Sequence, residues 1–456
     1  MSLSYERSEV WSKKNHEDIF SFAEGYKKFL SIAKTERLAH RELLCRAKEK
    51  GFRSFEELKK EGNLLPGAKL YLENKNKSLV LMVLGADLEE GMRVVGSHID
   101  VPRLDLKQVP LYEEGKLAFF KTHYYGGVKK YQWTCIPLAL HGLAYTKEGK
   151  AVELSIGEEE EDPVFYINDL LIHLSADQMQ KKLSEAITGE QLNVVVGHMP
   201  LKGEEKEAIK AGVLKALNDK YGLIEEDFLV SEIEVVPAGK ARDVGFDRSM
   251  VAGHGHDDRA CAYASLRAIL EIEAPQKTAV CLFADKEEIG SVGNSSMEAL
   301  FFENLISEIL AYQGKDSSLG RRRALAASKV LSADVSACFD PNFPEVTEKL
   351  NTAHLGCGGS LNKYTGVRGK GGSNDANAEF LQELRELFDK KNVLWQTGEL
   401  GKVDQGGGGT IAFILAKYGA EVVDFGLPVL SMHAPIELIS KADLYAAYEA
   451  YKAFME

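Results

Sequence analysis

Five short clusters in this 456-residue chain place an acid or a histidine where an apolar strand ends or a helix begins. The first, Gly96-Ser97-His98-Ile99-Asp100, directly follows the apolar run Arg93–Val95. In a His-x-Asp pair the carboxylate can accept from one ring nitrogen, which fixes the tautomer and makes the other nitrogen a better metal ligand. The second is Gly253-His254-Gly255-His256-Asp257-Asp258-Arg259, where two glycines loosen the backbone before two acids open an apolar helix. Taken alone, Asp257 or Asp258 reads as the cap of that helix. The third, Phe283-Ala284-Asp285-Lys286-Glu287-Glu288-Ile289-Gly290-Ser291, ends a strand with adjacent glutamates. Their side chains point different ways, so one can bind a metal while the other faces water on it. The fourth, Ser332-Ala333-Asp334, ends another strand, and the fifth, Leu430-Ser431-Met432-His433-Ala434-Pro435, sets a histidine in a loop. Singly, a strand-end acid is a solvated turn residue and a loop histidine a structural one. Jointly, they are the donor set of a dinuclear site for hard or borderline divalent ions, with no thiolate required. Two such ions about 3.5–4 Å apart can share a carboxylate and a water and polarise a carbonyl that the water attacks.

The elements that must position these residues are legible in outline. Ser78–Leu84, Arg93–Gly96, Thr278–Phe283, Lys329–Asp334 and Ala420–Phe425 read as buried strands. Helical spacing runs from Phe20 to about Lys60 and again over Asp257–Glu273. The last helix opens on Ser440-Lys441-Ala442-Asp443, which reads as a capping box. From about Gln108 to Ala241 this rhythm is interrupted by shorter strands, such as Val152–Ile156 and Leu192–Val196, and by a polar helix over Glu204–Lys220. Buried strands alternating with helices imply an α/β layer, here split by an insertion. The expected organisation is therefore residues 1–107 and 242–456 as one discontinuous domain and 108–241 as the insert. In open α/β sheets the chemistry collects at the carboxyl ends of the strands, and each of the five clusters falls at a strand end or a helix start.

Other classes of function fit less well. A balance of 56 Lys and Arg against 69 Asp and Glu, net −13, lacks the basic footprint of a nucleic-acid binder. No apolar run suggests a membrane span, and the first residues do not read as a secretory signal. Six scattered cysteines without a Cys-x-x-Cys pair fit reduced thiols in a cytoplasm. The acidic run Glu158–Asp162 reads as a solvated turn. Gly406–Gly409 is not followed by the Lys-Ser/Thr of a phosphate loop and reads as close backbone packing beside a substrate. Ser360, Ser373 and Ser431 lack the elbow of a serine hydrolase.

With the five clusters in this order, nearly the whole chain resembles the aspartyl aminopeptidase/aminopeptidase I family, the eighteenth metallopeptidase family, in its bacterial branch. Gly96–Asp100, Glu287–Ser291 and Ser431-Met432-His433 carry the likeness most strongly. The resemblance implies a zinc-exopeptidase α/β fold, a mixed sheet flanked by helices, with an inserted, mainly β dimerisation domain and assembly into tetrahedral dodecamers built from dimers. It implies that His98, Asp257 and Asp334 hold one zinc and that Asp257, Glu288 and His433 hold the other, Asp257 bridging. Glu287 would be the general base, and Asp100 the orienter of His98. Ile172-His173-Leu174 resembles the segment that sends a histidine into a neighbouring subunit's active site. Leu361-Asn362-Lys363 resembles the place where a lysine meets an acidic substrate side chain. The chain departs from the family pattern at Ser336-Ala337-Cys338, at Asp258-Arg259 and at Asp404–Gly409. These departures bear on the strictness of a preference for acidic N-terminal residues.

The expected function is that of a cytoplasmic dinuclear zinc aminopeptidase acting on peptides, with cobalt or manganese as alternative ions. Another co-catalytic metallo-hydrolase on the same scaffold (a dipeptidase, carboxypeptidase or deacylase) is the first alternative, separated by whether a blocked N-terminus abolishes cleavage. A catalytically silent assembly or peptide-binding protein is the second, separated by metal content and peptide turnover.

Overall fold

A computed structural model describes residues 3–315 and 317–456. The chain divides into two compact units. One comprises Met1–Asp100, Ala241–Met432 and Glu437–Glu456; the other comprises Val101–Lys240 and His433–Ile436.

The first unit is built on a nine-stranded mixed sheet. Its spatial order is Arg53–Ser54, Lys69–Asn74, Ser78–Val83, Thr278–Ala284, Met92–His98, Lys329–Ser332, Glu421–Gly426, Gly359–Asn362 and Trp395–Thr397. Ser78–Val83 and Thr278–Ala284 are buried at every position because both faces of the sheet are covered there. Side chains alternate between faces, so Leu79, Leu81 and Val83 enter one core while Val80, Met82 and Leu84 enter the other. The first core includes residues of the helices His16–Ile32, Glu36–Glu49, His256–Ile269 and Lys441–Met455. The second includes residues of Phe55–Glu61, Phe301–Tyr312, Ser318–Ala326 and Ala412–Ala416. Four neighbouring strands, Thr278–Ala284, Met92–His98, Lys329–Ser332 and Glu421–Gly426, run parallel, with Ala284 level with His98. Three of the five sequence clusters therefore leave the sheet at one edge. A smaller sheet in the same unit pairs Met250–Gly253 with Glu437–Ser440, Gly253 lying opposite Glu437.

The helical stretch expected from Phe20 to Lys60 is broken into three helices. The first ends at Ile32, and Thr35 then starts the second by accepting from the Leu38 N–H. At the last helix Ser440 caps Ala442, but the expected reciprocal bond of a capping box is replaced. The Asp443 carboxylate instead accepts from Gly356 and Gly358 N–H, at 2.8 and 2.7 Å, tying the helix to the loop before Gly359.

The second unit carries a six-stranded antiparallel sheet in the order Ala151–Ile156, Leu138–Tyr145, Glu232–Pro237, Arg103–Glu114, Leu117–Tyr125, Val194–Gly197. The polar helix expected over Glu204–Lys220 spans Ala208–Tyr221 and contributes Ile209, Val213, Leu214, Leu217 and Tyr221 to that unit's core. The Glu158–Asp162 run is a turn in which Asp162 accepts from Gly157 N–H at 3.1 Å. Among the described residues no helix is long and apolar enough to cross a membrane.

Candidate metal centre

His98 is the last residue of its strand and is buried. Its Nδ1 lies 2.9 Å from the Asp100 main-chain carbonyl, which can only accept, so Nδ1 carries a hydrogen. Nε2 is then the ring atom turned toward the carboxylates. It sits 3.1 Å from Asp257, 3.8 Å from Asp334 and 4.0 Å from Glu287. Donor atoms of His98, Asp257 and Asp334 fall within 4.8 Å of one another, as do those of His98, Glu287 and Glu288. Asp334 is held in place by close packing: a Cβ on Gly426 would come within 1.8 Å of the Asp334 carbonyl oxygen, so only glycine fits there.

The electrostatics match the donor set. Burial works against a charged His98, yet Asp100, Asp257, Glu287 and Asp334 together raise its pKa well above the ordinary imidazole range. Burial, reinforced by the charge of Asp257, likewise raises the Asp334 carboxyl well above the usual carboxylate range, with His98 opposing. Carboxylates crowded this closely in a buried pocket repel one another, and a divalent cation relieves that repulsion directly. The chemistry and spacing of the donors therefore fit a divalent ion, zinc among them.

Asp100 does something its spacing from His98 did not announce. Its carboxylate lies 3.4 Å from His98 Nδ1, farther than its own carbonyl, while its two oxygens accept the N–H groups of Glu287 and Glu288 at 3.1 and 3.2 Å. It thus fixes the glutamate turn as well as facing the histidine. The Gly253–Arg259 cluster also differs from a simple helix cap. Gly255 occupies the cap position, Asp257 and Asp258 have non-helical backbones, and the Asp257–Asp258 peptide is cis. Asp258 points back and accepts from His98 N–H at 3.3 Å, and the buried Arg259 donates through Nε to the Ile99 carbonyl at 3.2 Å. His256 is buried and its pKa is lowered by that burial to about 3, so it is neutral. Its Nε2–H donates to the Val251 carbonyl and its Nδ1 accepts from the Tyr26 hydroxyl at 2.6 Å.

His433 belongs to the second unit, where its Nδ1–H donates to the Gly127 carbonyl at 2.9 Å. As with His98, a main-chain carbonyl fixes the tautomer that leaves the ring's lone pair on Nε2. His173 lies on an exposed turn, Ile172–Leu174, in the same unit. Lys363 is not brought to the cluster. The register sets Asn362 opposite Asp424, Asp424 opposite Ser332, and Ser332 opposite Gly96, and the chain then runs away from the His98 end. There the Lys363 ammonium pairs with Asp375, which also holds Lys370. Gly406–Gly409 does pack backbone on backbone, but against the Gly366 turn: Gly366 N–H donates to the Gly408 carbonyl at 2.7 Å. Tyr26 and Glu437 (whose carboxylate accepts the Asp257 N–H) were not singled out from the sequence, and Asp258 was read as a helix cap rather than as a partner of His98. The one available signal was the second acid of the Asp257-Asp258 pair, which has no purpose in a simple cap.

The family described as aminopeptidase I zinc metalloprotease (M18) matches residues 29–455. A protein described as probable M18 family aminopeptidase 1 from Clostridium acetobutylicum is 50% identical, with 99% of each chain covered. A crystal structure of an M18 aminopeptidase from Thermotoga maritima superposes with a TM-score of 0.96 at 45% identity, covering 99% of this chain and 100% of that one. More distantly, a structure of the Saccharomyces cerevisiae mApe1 dodecamer has a TM-score of 0.77 at 20% identity, over 96% of this chain and 97% of its own. A match that begins at residue 29 and ends one residue short of the C-terminus, supported by near-half identity over whole chains, means that this chain belongs to the M18 aminopeptidases, a family of zinc metallopeptidases.

Proposed function

We propose that the chain is a dinuclear zinc aminopeptidase that removes single N-terminal residues from peptides in the cytoplasm. The observation that carries this reading is the convergence of His98 Nε2 with the carboxylates of Asp257, Asp334 and Glu287 in one buried pocket. His98 and Asp334 would hold one ion and Glu288 and His433 the other, with Asp257 shared. When bound, the ions would supply Lewis acidity toward the peptide carbonyl and would make a water more acidic. The remaining chemistry belongs to the chain. Glu287 accepts the water proton at its carboxylate and passes it to the leaving amine nitrogen. Asp100 holds the Glu287 N–H, so the carboxylate that moves the proton sits on a fixed turn.

The assembly reading is a homo-oligomer, of the tetrahedral dodecameric kind. Its support lies in the insert, where Leu170, Leu171, Ile172, Leu174, Met179 and Leu183 are all exposed within fourteen residues. Exposed apolar side chains this dense along the chain are of the kind that protein interfaces cover. His173 sits in the middle of it and would donate to the developing oxyanion in a neighbouring copy. The acidic preference has weaker support, because the Lys363 ammonium is already engaged by Asp375. We infer a broad preference rather than a strict one.

The deciding experiment is elemental analysis with turnover of aminoacyl-nitroanilides. Two divalent ions per subunit and activity abolished by N-terminal blocking are expected. Absence of bound metal, with no activity restored by zinc, cobalt or manganese, would remove the reading.

A further inference from the structure

Glu437 is buried at the start of its strand, and its carboxylate accepts the backbone N–H of Asp257 at 3.1 Å. The two residues are 180 positions apart in sequence, and Gly253, four residues before Asp257, is the strand partner of Glu437. Only His254 and Gly255 separate the strand that ends at Gly253 from the helix that starts at His256, and Asp257 in that first turn has a non-helical backbone. Its conformation is imposed from outside. One fixed point is His256, held between Val251 and Tyr26. The other is the Glu437 carboxylate on the main chain of Asp257 itself.

This bond is one of a set. His98 N–H is held by Asp258, Glu287 and Glu288 N–H by Asp100, and Asp257 N–H by Glu437. In each case a carboxylate outside the proposed ligand set grips the backbone of a residue inside the proposed site. A charged acceptor on a main-chain donor is a strong, directional bond, well suited to holding a loop.

We infer that Glu437 is a positioning residue for the metal centre, setting the backbone from which Asp257 reaches the ions. The inference rests on the reading of Asp257 as the shared ligand. Outer partners that hold a metal ligand in place are typically worth about 10–100-fold in metal affinity. What matters here is reach: the acceptor must arrive at the Asp257 N–H, whatever its charge.

Two conservative variants separate reach from charge. Glu437→Gln keeps an acceptor oxygen at the same distance without the charge. Glu437→Asp keeps the charge but withdraws the acceptor by one methylene. Zinc and cobalt affinities are measured by chelator competition on the full-length protein, with cobalt absorption spectra as a readout of ligand geometry and melting of the metal-free protein as a control. Glu437→Gln is expected within about threefold of wild type, and Glu437→Asp weaker by about 10–100-fold with an altered cobalt spectrum. Metal-free melting should not distinguish the two. Wild-type affinity in Glu437→Asp, or the reverse order of the two variants, overturns the positioning role. If wild type itself binds neither ion, the metal reading of Asp257 falls, and the role of Glu437 with it.

Discussion

The pocket around His98 and the turn around His173 are opposite answers to the problem of placing a histidine. His98 is buried, its tautomer is set by the Asp100 carbonyl, and four carboxylates stand within 4 Å of its ring nitrogens. His173 sits on a short exposed turn whose flanks, Ile172 and Leu174, are each 69% exposed. The first residue is preorganised by its own chain. The second lacks such surroundings within its unit, and the apolar residues beside it are the kind that become ordered and covered in an interface. A site built wholly from one chain declares itself by charge crowding and burial. A site completed by another copy declares itself only as exposed apolar surface.

The sharpest break between these regions is Glu287→Gln. It keeps the size of the side chain but cannot take a proton, so kcat should fall about 10²–10⁴-fold. Metal content should stay near wild type, whereas Glu288→Gln should lose metal as well as rate. Full turnover in Glu287→Gln, or metal loss matching that of Glu288→Gln, would show that the roles are reversed.

His173→Ala is expected to cost about 10²–10³-fold in kcat, the worth of one oxyanion donor. Ile172→Glu combined with Leu174→Glu should break the oligomer, seen by ultracentrifugation, and lower turnover to a similar degree. A dissociated variant with wild-type turnover per subunit would confine the site to one chain.

A smaller effect tests the static framework of the first unit. Burial pushes the Asp443 carboxyl up to about 7, although two backbone N–H groups oppose the shift. A carboxyl whose pKa is higher in the fold than in the unfolded chain holds its proton more tightly in the fold. It therefore supports the fold most below about pH 4, and that support is lost as pH rises toward 7. The slope for one such group approaches about 1.4 kcal/mol per pH unit. Asp443→Asn should flatten the stability of wild type across that window, measured by denaturant unfolding at several pH values. An unchanged slope would mean that the carboxyl is ionised throughout.

Lys363→Leu should change least. With its ammonium paired to Asp375, the ratio of glutamyl to leucyl turnover is expected to shift by about threefold or less, as for other exposed ion pairs. A tenfold or greater loss confined to acidic substrates would restore Lys363 to the substrate pocket.

What the sequence made legible follows physical range. The strand ends carrying His98, Glu287, Glu288 and Asp334 were readable because apolar runs and the acids that close them are adjacent in the chain. The break of the 20–60 stretch at Ile32 was hidden, since helical spacing continues across it. Asp443 looked like half of a capping box because its true partners, Gly356 and Gly358, are 87 and 85 residues away. Glu437 was invisible for the same reason. Lys363 was assigned by likeness alone, and the strand register that carries it away from His98 is a tertiary fact.

The long spans that join the centre also fix when it can form. The bonds of His98 with Asp257 and Asp258, of Asp257 with Glu437, and of Asp100 with Glu287 and Glu288 bridge 159 to 188 residues each. Chains dominated by such distant pairings fold slowly, since large loops must close before any contact is gained. During synthesis, at about 5–20 residues per second, the Asp257 backbone cannot be gripped until Glu437, 180 residues later, has emerged. A nascent chain therefore holds its donors apart until Glu437 has followed them, and a competent hydrolase appears only after that residue has been made.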